Sequence, residues 1–140
     1  MNECIHDPVL GELERYDAGS YRLTLHQTEL YVAITEDAPE QQAAILQARK
    51  IVEGFTAYTE RATRYVCAEL LAIKNGFWLQ GDEEPLDAAE FTRQLNLSLV
   101  SVERDGRATL YFDDNQMFGG HSIVVYANVH DEFETAKLEG

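Results

Sequence analysis

The chain has 140 residues, 45% of them hydrophobic, and 25 Asp and Glu against 11 Lys and Arg leave a formal charge of -14. That length suits a single domain over residues 1–140 with one ordinary core, and no apolar run approaches the roughly 20 residues that span a bilayer. A negative field repels nucleic-acid phosphates and anionic lipid, and it either attracts a cationic protein or simply keeps the chain soluble.

The N-terminus, Met1 to Asp7, has neither a basic start nor an apolar stretch, so no secretory leader is expected and the protein is placed in the cytoplasm. Cys4 and Cys67 are too few for a disulfide framework or a zinc site and are expected to stay reduced. Val9 to Tyr16 reads as a first strand. After a turn at Asp17-Ala18-Gly19, Tyr21, Leu23 and Leu25 alternate with polar residues, and beyond Gln27-Thr28 the residues Leu30, Val32 and Ile34 alternate again. This is a hairpin pattern.

Asp37, Pro39 and Glu40 then carry the signals of a helix start: a capping side chain, a proline tolerated in the first turn, and an acid three residues after the cap. Ala44, Ala48, Ile51, Phe55, Tyr58, Ala62 and Tyr65 recur at helical spacing, and Val66, Leu70 and Ile73 extend the stripe. An unbroken helix from Glu40 to Asn75 would be about 54 Å long, too long for a domain whose radius of gyration is about 14 Å. A break near Gly54 is therefore predicted, with Asn75-Gly76 ending the second helix.

After Phe77-Trp78-Leu79 comes a polar loop, Gln80 to Pro85, and Asp87 is placed to cap a short helix over Ala88 to Leu95. Leu97 to Glu103 and Ala108 to Phe112 flank Asp105-Gly106, a strong hairpin turn. Ile123 to Val129 supplies a last strand, and Asp131 to Gly140 reads as an acidic tail. The predicted fold is α+β, an antiparallel sheet of about five or six strands in the order β-β-β-α-α-α-β-β-β with helices packed on one face.

The segment Asp113-Asp114-Asn115-Gln116-Met117-Phe118-Gly119-Gly120-His121-Ser122 is the most informative one for chemistry. If the flanking strands pair, Asp113 or Asp114 approaches His121 as an acid/base or orienting partner. The alternative is a structural corner, with His121 bonded to backbone across the turn. Ser122 lacks the Gly-x-Ser-x-Gly elbow of a nucleophile. Neither the spaced ligands of a calcium loop nor a His-Glu-x-x-His pair is present, so no metal or cofactor is expected. Cys67, inside the amphipathic stretch, reads as packing. The acidic clusters at Glu36-Asp37, Asp82-Glu83-Glu84, Asp113-Asp114 and Asp131-Glu132 all fall in loops or termini, where binding residues concentrate. The residues assigned to a partner surface are Asp82, Glu83, Glu84, Asp113, Asp114, Asn115 and His121.

Trp78 after the long helices, Phe91 inside the short helix, the Asp105-Gly106 turn and Phe118-Gly119-Gly120-His121-Ser122 before an apolar strand form a recognisable set, with Asp7-Pro8-Val9-Leu10-Gly11 at the start. In these features the chain resembles a bacterial family of domains of unknown function. Relatives in that family lie near polymorphic-toxin, contact-dependent or type VI secretion loci. The resemblance therefore implies a bacterial immunity protein rather than an enzyme, with a cognate toxin or effector as its partner. The acidic charge suits a basic toxin. The alternative is a small-ligand binder or enzyme at Asp113, Asp114 and His121.

Overall fold

The computed structural model describes residues 4–34 and 43–139. Among them are eight strands and three helices: β1 (Cys4–Asp7), β2 (Gly11–Asp17), β3 (Ser20–Leu25), β4 (Thr28–Ala33), α1 (Ala43–Glu53), α2 (Phe55–Phe77), α3 (Ala88–Gln94), β5 (Asn96–Val102), β6 (Ala108–Asp113), β7 (Ser122–Ala127) and β8 (Phe133–Glu139). The α+β class holds, but four strands precede the helices and four follow them. The expected five or six strands are corrected to eight. The predicted helix start at Asp37, Pro39 and Glu40 lies outside the described residues.

All eight strands form one sheet in sequence order. Every neighbouring pair is antiparallel except β4 and β5, which run parallel. The exception follows from chain connectivity, because a parallel pair needs a long crossover and the whole helical segment lies between these two strands. The period-two alternation sorts side chains to the two faces. Leu23, Leu30, Val100, Leu110 and Val125 sit side by side across five strands on one face and are buried there. Arg22, Tyr31, Ser101, Thr109 and Tyr126 form the matching row on the other face. Helix α1 packs on β4 and β5, and α2 packs on β8, α1 and α3.

Two strands were missed from sequence. The strand expected over Val9 to Tyr16 is β2, and β1 lies ahead of it because Asp7 folds the chain back: its Oδ2 accepts from Val9 N and Leu10 N, both at 3.0 Å. Gly11 then takes a positive φ of 77°. Arg49 of α1 closes on the same carboxylate, with Nη2 2.6 Å from Oδ1. The second missed strand is β8. The acidic tail is a strand paired along β7, and its Phe133 ring packs 5.6 Å from that of Tyr58 and 5.7 Å from that of Tyr65.

The break at Gly54 is present, as a kink rather than a loop. Gly54 sits at φ -117° and ψ 38°, while Gly54 N still reaches Lys50 O at 3.3 Å and Tyr58 N reaches Gly54 O at 2.8 Å. Helix α2 runs past the expected Asn75-Gly76 stop to Phe77, with Trp78 as its C-cap. Its buried stripe also departs from the predicted one. Tyr58, Ala62, Val66 and Leu70 face the core, but the next inward position is Lys74 rather than Ile73.

Candidate functional site

The loop between β6 and β7 is built around one carboxylate. Asp114 is only 2% exposed, and a buried carboxylate requires donors on its oxygens. Its Oδ1 accepts from Gln116 N at 3.0 Å, and its Oδ2 accepts from Phe118 N at 2.9 Å and Gly120 N at 3.1 Å. To aim three amides at one side chain, the backbone turns left-handed at Asn115, Gln116, Gly119 and Gly120. A Cβ on Gly119 would lie 3.6 Å from the Trp78 ring at a φ of +69°, so the cost of an alanine there is mainly backbone strain. Asp113 remains exposed at the loop's entry, where its Oδ1 accepts from Asn115 N at 3.0 Å. The Asn115 side-chain amide bonds to Gln94 at the end of α3.

His121 does not meet either aspartate through a hydrogen bond among the described residues. Its Nδ1 lies 2.5 Å from Phe118 O. Because a carbonyl only accepts, Nδ1 carries the proton in this bond. Asp114 and His121 therefore hold the two sides of the same residue, one at Phe118 N and the other at Phe118 O. The Phe118 side chain is fully buried, with ring centroids 5.7 Å from Trp78 and 6.3 Å from Phe91. Trp78 also meets His121 edge-on at 5.5 Å. Trp78, Phe91, Phe118 and His121, far apart in sequence, are thus one packed cluster.

Trp78 links this loop to the second acidic segment. Lys74, 1% exposed, donates from Nζ to Trp78 O at 2.9 Å and to Glu83 Oε1 at 2.8 Å. The same Glu83 oxygen accepts from Gln80 N at 3.1 Å. The Lys74 bond, seconded by Gln80 N, holds the Glu83 carboxyl below its usual value. Asn75 ties down the far end of the loop by exchanging both hydrogen bonds of its side-chain amide with Leu86 N and O, at 2.9 and 2.8 Å. Asp87 then caps α3 as predicted, and Glu90 completes a capping box with it. Asp82 and Glu84 stay exposed. From residue 75 to residue 92 the chain carries Asp82, Glu83, Glu84, Asp87 and Glu90 and not one Lys or Arg.

The predicted partner residues fall into three groups. Asp82, Glu84 and Asp113 present carboxylates to solvent. Glu83, Asn115 and His121 divide their polar atoms between the fold and the surface, and Asp114 is withdrawn from the surface altogether. Sequence reasoning missed Lys74 and Asn75. Their only signal was a polar pair inside an apolar helical stripe. Among the described residues no group of three or more His, Cys, Asp or Glu is gathered closely enough to hold a metal ion. Cys67 is half-buried beside the core, and its thiol is pushed up by burial. An open depression of about 710 Å³ lies elsewhere, across β1, β2, β3 and β4, and is lined by Cys4, Glu12, Arg22 and Glu29 among others.

Fold and site together define an α+β domain with helices on one face of a single long sheet and two acidic loops braced around a tryptophan. No described helix is long and apolar enough to cross a membrane. The chain belongs to a family of uncharacterized proteins conserved in bacteria, DUF2262, whose model matches residues 7–138. The match begins at Asp7, the residue that folds β1 onto β2, and ends at Leu138 in β8. No curated protein and no solved structure matches the chain.

Proposed function

We propose that this protein is an immunity protein that neutralises a cationic toxin or effector by covering its working surface. The observation that carries the reading is the junction at Trp78. The Trp78 ring meets Phe118 and His121 of the 113–121 loop, while Lys74 ties the Trp78 carbonyl to Glu83 of the 80–86 loop, so that both acidic segments are anchored on one residue. Asp82, Glu84 and Asp113 are the carboxylates offered to the partner, on loops whose backbones are fixed beforehand. Pre-set loops reduce the ordering cost of association.

Charge then accounts for capture and selectivity. A net charge of -14 steers a basic protein from beyond contact distance, over a range of about 10 Å at 0.1 M salt. Like charge disfavours acidic and nucleic-acid partners. No bond is made or broken. Neutralisation is steric and electrostatic. A reading in which Asp113, Asp114 and His121 act on a small ligand has less support, because three main-chain amides surround Asp114 and His121 bonds to Phe118 O.

The test is co-expression with the product of the adjacent gene, followed by kinetics on the purified pair. A one-to-one complex and protection of the host are expected, with an association rate that falls about tenfold or more between low and moderate salt. The combined variant Asp82→Asn, Glu84→Gln, Asp113→Asn is expected to slow association while leaving the melting temperature unchanged. A basic neighbour that neither binds nor is neutralised would defeat the proposal.

A further inference from the structure

Helix α2 ends with apolar side chains turned away from the core. Phe77 is 83% exposed, Ile73 one turn before it is 38% exposed, and Leu79 just after it is 36% exposed. Ile73 and Phe77 are neighbours by i,i+4 spacing and Leu79 follows just past the helix end, whereas the inward position of the last turn belongs to Lys74. Single exposed apolar residues are ordinary, but a grouped aromatic and aliphatic set rimmed by charge marks a contact surface. The backbone beneath the group is held in place. Lys74 Nζ bonds to Trp78 O and Glu83, and Asn75 bonds to Leu86 on both edges.

The rim is acidic. Glu69 lies on the same helical stripe, two turns before Phe77, and exposed Asp82 and Glu84 follow on the loop that folds back on the helix end. With no Lys or Arg between residues 75 and 92, a second copy of this chain would bring carboxylates against carboxylates. A basic surface would bring opposite charges together. Large aromatic side chains surrounded by a polar rim are the usual energetic centres of protein interfaces.

We propose that Phe77, flanked by Ile73 and Leu79, is the apolar anchor of this domain and inserts into an apolar pocket bordered by Lys or Arg on a cationic protein partner. The inference rests on the reading above that the partner is a basic toxin or effector, and it adds where that partner is gripped. The acidic rim sets the approach rate. The buried ring sets the lifetime of the complex.

The probe is the purified product of the adjacent gene, titrated calorimetrically against the full chain and against Phe77→Ala. Phe77→Ala is expected to weaken binding about 30-fold or more with the salt dependence kept. Its melting temperature should stay within about 2 °C of wild type, since the ring contributes little to the core. Tyr16→Ala removes the other strongly exposed ring, on the uncovered sheet face, and is expected to leave binding within about twofold. If Phe77→Ala binds like wild type while the Asp82, Glu84 and Asp113 variant is weakened, the anchor is overturned and the acidic reading stands. If wild type does not bind the probe at all, both fall. If wild type self-associates in sedimentation and Phe77→Ala is a monomer, the patch is a self-interface and the inference is overturned. The same follows if Tyr16→Ala, and not Phe77→Ala, abolishes binding.

Discussion

Asp114 and His121 look from sequence like an acid/base pair, yet each is bound to backbone around Phe118. Removing the Asp114 carboxylate leaves three amides without their acceptor, and buried donors left unmade are expensive. Asp114→Ala is expected to cost about 3 kcal/mol in denaturant unfolding. His121→Ala, which loses one backbone bond and an edge contact to Trp78, should cost about 1–2 kcal/mol. A His121→Ala protein that keeps full stability while losing binding would point to a functional histidine instead. Asp7 provides a pH signature. Hydrogen bonds from Arg49, and then from the Leu10 and Val9 amides, hold its carboxyl down to about 2, below its ordinary value near 3.9 when unfolded. A depressed carboxyl stabilises the fold above its unfolded value, and that contribution disappears as pH falls from about 4 toward 2. Asp7→Asn should therefore melt below wild type at pH 7, and the gap between the two should close as the buffer is taken to pH 2–3. The burial of Asp7 was not legible beforehand, because its partner Arg49 lies 42 residues away and an Asp-Pro dipeptide reads simply as a turn.

At the scale of elements, period and capping were good guides wherever a segment's own residues decide its state. The β5–β6 hairpin with its Asp-Gly turn, the kink at Gly54 and the capping box of Asp87 and Glu90 are all local, and all are present. The errors came where a distant partner decides. Phe133 to Glu139 alternates weakly and carries charges, so it reads as a tail, but β7 supplies a hydrogen-bonding edge and α2 supplies Tyr58 and Tyr65 for Phe133. Arg61 adds an ion pair at 2.9 Å with Asp131 in the preceding turn. Charged residues along such an outer strand also discourage pairing with another chain. Truncation before Asp131 would uncover the apolar β7 and strip α2 of its packing against β8. The shortened protein is expected to aggregate or to lose its cooperative thermal transition, whereas a dispensable tail would leave the melting curve unchanged. The last turn of α2 shows the same dependence in reverse. Ile73 fits the apolar stripe by spacing, but Lys74 takes the inward place because Trp78 O and Glu83 wait there to satisfy its ammonium.

For the whole molecule, composition, charge and periodicity determined that this is a one-domain-sized α+β chain with amphipathic helices between two sets of strands and an acidic surface. These properties are sums or local patterns, and they need no knowledge of which segments meet. A resemblance to a bacterial family of domains of unknown function was likewise legible in short runs of residues, and the DUF2262 match over residues 7–138 agrees with it. Only the tertiary structure decided that β4 and β5 meet in parallel, that eight strands share one sheet, and that Trp78, Phe91, Phe118 and His121 form a single cluster. Only it withdrew Asp114 from the surface while leaving Phe77 in solvent. Burial and pairing belong to contacts between residues tens of positions apart, and a side chain's own identity does not record which partner the fold will bring to it.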